Sequence, residues 1–113
     1  MAVKDVTKLV ERLEAFEDRL GVRIESLSAH LNADDDESVY LVVRGELHPK
    51  SGTEVEQSIE LVVAAYDSAS RVVATGSEFF DASSFFGFEI FDVTVEIPVK
   101  NLARVRIHPK RSE

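Results

Sequence analysis

The sequence predicts a mainly β protein, an antiparallel β-sandwich of six to seven strands with one N-terminal α-helix. Three observations predict it. From Val39 to Ile107, apolar residues recur at every second position in one segment after another, the period of a strand with one wet face. Short runs of turn-forming residues separate these segments, with no helical stretch between them. That spacing suits stacked antiparallel sheets rather than βαβ units. The chain start has a different period, close to that of a helix.

In that first segment Val6, Leu9, Leu13, Phe16 and Leu20 recur at spacings of three and four. Asp5 precedes them as an N-cap, and Gly21 follows as a stop that enters the left-handed region without penalty. The spacing predicts a helix over residues 5–20, so that residues 1–21 are an amphipathic helix and residues 22–113 a β-sandwich domain. The same apolar residues fit heptad a and d positions. Arg12 and Glu17 then fall at g and e, where they would pair between two chains. A helix of this length is marginal alone in water, so it must dock on its own sandwich or on a second copy.

The strands follow in order. Residues 22–31 place Leu27, Ala29 and Leu31 on one face. Residues 39–47 point Val39, Leu41, Val43 and Leu47 one way and Tyr40, Arg44, Glu46 and His48 the other. Residues 55–66 alternate Val55, Ile59, Leu61, Val63 and Ala65 with Glu54, Glu56, Ser58 and Glu60. Residues 71–77, 85–97 and 102–108 complete six strands, and 77–81 is the possible seventh. Within 85–97, Phe86, Phe88 and Ile90 share one parity, whereas Phe91, Val93, Val95 and Ile97 share the other. The switch near Glu89 predicts a bulge or a bend. In the last strand Ala103, Val105 and Ile107 face inward, and Arg104, Arg106 and His108 form a basic outer row. His-Pro-Lys occurs twice, at 48–50 and 108–110, and proline is expected to end each strand because it cannot donate to a ladder. Tyr66 and Asp67 close the third of these strands, with Asp67 expected to bond the backbone N–H groups of the turn.

The stretch GELHPKSGTEVEQSIELVVAAYDSASRVVATG, with its neighbours over residues 40–97, resembles the FxLYD family of small immunoglobulin-like sandwich domains. Gly45, Tyr66, Asp67 and the pair Val72-Val73 match. Val63 and Ala65 stand where the motif has Phe and Leu, and Ser70 stands where it has the glycine after the turn. The resemblance implies an immunoglobulin-like sandwich and supplies no catalytic residues.

Charge and composition narrow the function classes. The chain has 113 residues, no cysteine and a net charge of −8. Residues 1–99 carry 8 basic and 20 acidic groups, and residues 100–113 have a balance of +4. Such a surface repels phosphate backbones and anionic lipid, so neither nucleic acid nor membrane is an expected partner. Without cysteine there is no disulfide framework and no thiolate metal site. No apolar run approaches the roughly 20 residues needed to cross a bilayer, and the charged N-terminus lacks a signal-peptide core. The expected location is cytoplasmic.

Neither a P-loop nor G-x-S-x-G is present, and no serine stands beside a histidine. An enzyme is not expected, and neither is a cofactor. His30, His48 and His108 lie at separate strand positions and are not expected to converge on zinc. The acidic run at 32–37, with Asp34, Asp35 and Asp36, departs from the EF-hand pattern, which leaves a looser Ca²⁺ or small-ligand site there as the alternative function. The leading expectation is a non-catalytic interaction module, self-associating as a homodimer. Six of seven phenylalanines lie in residues 79–91, and neighbours in a strand face opposite ways. Phe79, Phe80, Phe86 and Phe88, with Leu9, Leu13, Phe16 and Leu20 of the helix, are therefore the candidate contact residues. The N-terminal helix is the candidate cover for the phenylalanines.

Overall fold

Residues 2–34, 38–98 and 102–112 are described by the structure, a computed structural model. Among these residues, eight strands form two four-stranded sheets. In chain order they are β1 (Ala2–Asp5), β2 (Val10–Arg12), β3 (Val22–Asp34), β4 (Ser38–Pro49), β5 (Ile59–Asp67), β6 (Val72–Phe80), β7 (Glu89–Ile97) and β8 (Leu102–Arg111). The first sheet has the order β1-β3-β4-β7 and the second β2-β8-β5-β6. All pairings are antiparallel except β2 with β8, which is parallel. Among the described residues a single α-helix, α1 (Glu14–Leu20), lies between β2 and β3.

The expected alternation places the core between the sheets. Leu41, Val43 and Leu47 of β4 and Phe91, Val93 and Val95 of β7 face Ile59, Leu61 and Val63 of β5 and Val105 and Ile107 of β8. Nine of these eleven are fully enclosed, Val93 and Val95 nearly so. Two glycines sit where a side chain has no room. A Cβ on Gly45 would lie 2.6 Å from the Phe91 ring, and one on Gly76 would lie 2.7 Å from Val95.

The N-terminal helix over residues 5–20 is the main correction. Ala2–Asp5 pairs with β3 instead, Thr7–Leu9 forms a 3-10 turn, and Val10–Arg12 pairs with β8. Only the last seven residues of the expected span are α-helical. The spacing of Val6, Leu9 and Leu13 suits a helix, but Val3, Val6 and Val10 are β-branched residues, which favour extended backbone. The β3 and β8 backbones provide ladder partners that an isolated helix lacks, so tertiary pairing overrides local propensity. Asp5 is not the N-cap, a place that Val6 takes without a side-chain bond; its carboxylate accepts from the Thr7 N–H at 2.8 Å, ahead of the 3-10 turn. Gly21 ends α1 with φ of 70°, as expected.

Arg12 and Glu17 pair within the chain rather than between chains. Arg12 donates from Nε and Nη2 to Glu17 at 3.1 and 2.7 Å. Glu17 also accepts from the Ile24 N–H at 3.2 Å, and it is 1% exposed. One carboxylate thus ties α1 to β2 and to β3. The bond to Glu17 raises the Arg12 pKa.

Smaller departures have local causes. In β3, Val22 and Ile24 are buried as well as Ala29, because a register shift between Glu25 and Ser28 changes the inward parity. Ser26 stands in that shift with φ of 57°. β5 begins at Ile59, leaving Val55 buried in the preceding loop. β6 runs on through Phe80 and absorbs the possible seventh strand. Phe86 and Phe88 precede β7, so the expected bend near Glu89 is simply where that strand starts. Ala103 is exposed rather than inward-facing. Pro109 does not end its strand: it pairs with Leu61 inside β8. β2 pairs with β8 only at Val105–Ile107, so the edge of β8 at Pro109 needs no N–H for β2.

The turn after β5 matches expectation. Asp67 Oδ1 accepts from the Ala69 and Arg71 N–H groups at 2.9 and 3.0 Å. These bonds, the Arg71 one foremost, hold the Asp67 pKa below its usual value. Tyr66 lies under the guanidinium groups of Arg104 and Arg106, 4.8 and 5.3 Å from its ring centroid. Ser70 is left with φ of 63°, a left-handed conformation that costs a non-glycine residue about 1 kcal/mol. Ser70→Gly is therefore expected to stabilise the protein by about 1 kcal/mol, raising the thermal midpoint by about 4 °C. A scanning calorimetry trace with an unchanged or lower midpoint would count against this account of the turn.

Candidate functional site

The expected contact residues divide into separate groups. Phe80 is buried and meets Phe85 edge-on, with centroids 6.4 Å apart. Leu9 and Leu20 pack against the protein's own core. Leu13 is half-buried and donates its N–H to the Ile107 carbonyl at 3.2 Å. Phe16 is partly exposed, its ring 5.2 Å from that of His108. The helix α1 packs on β3 and β8 and does not cover the phenylalanine-rich stretch. Phe79, Phe86 and Phe88 are exposed, and so is Ile90.

Strand register shows which of these share a surface. Phe79 pairs with Glu60, on the outer parity of the second sheet. Ile90 pairs with Glu46, which pairs in turn with Glu25, all on the outer face of the first sheet. One step along, His48 pairs with Arg23, and the Phe88 ring stacks on His48 with centroids 4.9 Å apart and planes 10° from parallel. The next row holds Arg44, whose Nε donates to Asp92 at 3.0 Å. The outer face of the first sheet therefore carries an apolar border, Phe88 and Ile90, beside a polar column of His48, Glu46 and Arg44, while Phe86 lies in the segment before β7. Phe79 belongs to a different face.

Within the polar column, one ligand atom from each of Glu25, Glu46 and His48 lies within 4.8 Å of the others. His48 Nε2 and Glu46 Oε1 are 2.9 Å apart. Arg23 donates to the Glu25 carboxylate, and this bond is the main cause that lowers the Glu25 pKa. Sequence reading placed Glu46 and His48 on one outward face. Glu25 joins them only through the β3–β4 register, which no single-strand pattern contains.

The other candidates stay apart. His30 lies in β3 opposite Val42, and His108 lies in the second sheet. Burial, then Lys110, lowers the pKa of His108. Of the acidic run, Asp34 closes β3 opposite Ser38, while Asp35 and Asp36 lie outside the described residues. Among the described residues no helix is long and apolar enough to cross a membrane. Comparison with family models, curated proteins and solved structures gives no match, so the FxLYD resemblance rests on the residues quoted for it alone.

Proposed function

We propose that this protein is a non-catalytic interaction module that self-associates through the outer face of its first sheet, with Phe86, Phe88 and Ile90 as the anchors. The observation that carries this reading is their exposure, 73%, 46% and 69%, with Phe88 and Ile90 at one border of the first sheet and Phe86 in the segment leading into β7. Exposed apolar groups gathered in this way mark contact surfaces. The occupant is a second copy of the chain. In a molecule of net charge −8, the rows formed by Arg23, Glu25, Arg44, Glu46 and Asp92 are nearly balanced in charge. Two such faces can meet without the repulsion that acidic surface elsewhere would impose. The Arg44–Asp92 and Arg23–Glu25 pairs give each copy both signs to offer. The exposed chemistry lies on a sheet face rather than in an enclosed pocket, which suits binding better than catalysis.

The finer reading of the fold belongs to the same proposal. The chain start serves both sheets, antiparallel in one and parallel in the other, and this supports an immunoglobulin-like sandwich. The β3–β4 hairpin within one sheet departs from the order of immunoglobulin constant domains.

Burying each anchor contributes roughly 1.5–3 kcal/mol, and six anchors across a two-fold contact are set against the cost of association. Sedimentation equilibrium of the parent protein is expected to show a dimer. A Phe88→Ser, Ile90→Ser double variant is expected to be a folded monomer. A parent that stays monomeric at high concentration, or a double variant that dimerises equally well, refutes the proposal.

A further inference from the structure

We propose that Glu25, Glu46 and His48 form a surface site for a borderline divalent transition-metal ion of the Zn²⁺ class. The inference does not depend on self-association, although Arg23, Glu25 and Glu46 lie on the same sheet face. Three observations carry it. The ligand atoms already converge within 4.8 Å. A bound Zn²⁺ with bonds of about 2 Å holds its ligands roughly 3.3 Å apart, so only small side-chain rotations are needed. Two carboxylates stand directly opposite each other at Glu25 and Glu46 of an antiparallel pair, where like charges destabilise and a cation offsets the repulsion. The imidazole is held in place, stacked on Phe88 and bonded at Nε2 to Glu46.

The donor set selects the class of ion. One imidazole nitrogen with two carboxylate oxygens suits Zn²⁺, Ni²⁺ or Cu²⁺ better than Ca²⁺ or Mg²⁺, which prefer all-oxygen shells. Water would complete the coordination of a three-ligand site. The Arg23 guanidinium bonded to Glu25 is the resident cation of the cluster, and it competes with the metal for that carboxylate.

The test is calorimetric titration of the full chain with Zn²⁺ in a non-chelating buffer, for the parent and for three variants. The parent is expected to bind one Zn²⁺ at this site. His48→Gln and Glu46→Gln, each shown to be folded by circular dichroism, are expected to weaken that binding at least about tenfold. Arg23→Gln is expected to tighten it, because the competing cation is gone. A parent that binds no Zn²⁺ overturns the proposal. So does binding that His48→Gln and Glu46→Gln leave intact, or binding that Arg23→Gln weakens.

Discussion

Arg12→Ala is expected to destabilise the protein by roughly 3 kcal/mol, lowering the thermal midpoint by about 12 °C. The reason is the carboxylate left behind. The Glu17 side chain is 2% exposed, whereas that of Arg12 is 35% exposed. Removing one partner of a buried pair costs about 3–5 kcal/mol when the other charge stays enclosed. Here the guanidinium reaches solvent, so its loss lets in some water, and the expected cost falls toward the lower end of that range. Glu17→Gln keeps the volume and an acceptor for the Ile24 N–H, so it is expected to cost less. Replacing both partners by apolar residues, as in Arg12→Met with Glu17→Leu, is expected to recover most of the Arg12→Ala loss, leaving only the Ile24 N–H without its acceptor.

Urea unfolding curves measure all three. Because the pair lies within one chain, the cost is expected to be independent of protein concentration. A cost for Arg12→Ala within about 0.5 kcal/mol of zero would mean that Glu17 is far better solvated than its burial indicates. A cost that changes with concentration would return the pair to the contact between chains that heptad spacing first suggested.

That contrast shows what the sequence contains and what it does not. Strands β4 and β7, and most of β5 and β8, were legible because their inward residues alternate, and register preserves that alternation when one face is buried. The first twelve residues were not legible in this way. Val6, Leu9, Leu13 and Phe16 fit a helical stripe, and what decides against it is the pair of open edges on β3 and β8, which are long-range facts. Likewise Val22 and Ile24 looked outward until the shift near Ser26 reversed their parity. The candidate site follows the same rule. Glu46 and His48 share a face by simple alternation, and the exposure of Phe86 and Phe88 follows from crowding too many phenylalanines into one stretch. Glu25 and the stacking of Phe88 on His48 come from pairing between strands, which a period within one strand does not encode.

The second large effect is expected at the closest point between the β4 backbone and the core. Phe91 is fully buried and is the largest such side chain. Its ring occupies the space above Gly45, where an added Cβ would also lie 3.1 Å from the Glu25 carbonyl. Phe91→Ala is expected to cost about 3–5 kcal/mol through lost burial and the cavity left behind. Gly45→Ala acts in the opposite sense, by overpacking, and is expected to cost about 1–3 kcal/mol. The two effects share one volume, so they are not independent. In a Phe91→Leu background, where the distal ring atoms are gone, Gly45→Ala is expected to cost clearly less than in the parent protein. Denaturant midpoints for the four members of this cycle give the coupling directly. Strictly additive costs would show that Gly45 is needed for its backbone conformation rather than for the room it gives Phe91. Its φ lies outside the left-handed region, and it pairs in register with Phe91 itself, so the shared volume is the physical reason a glycine stands there.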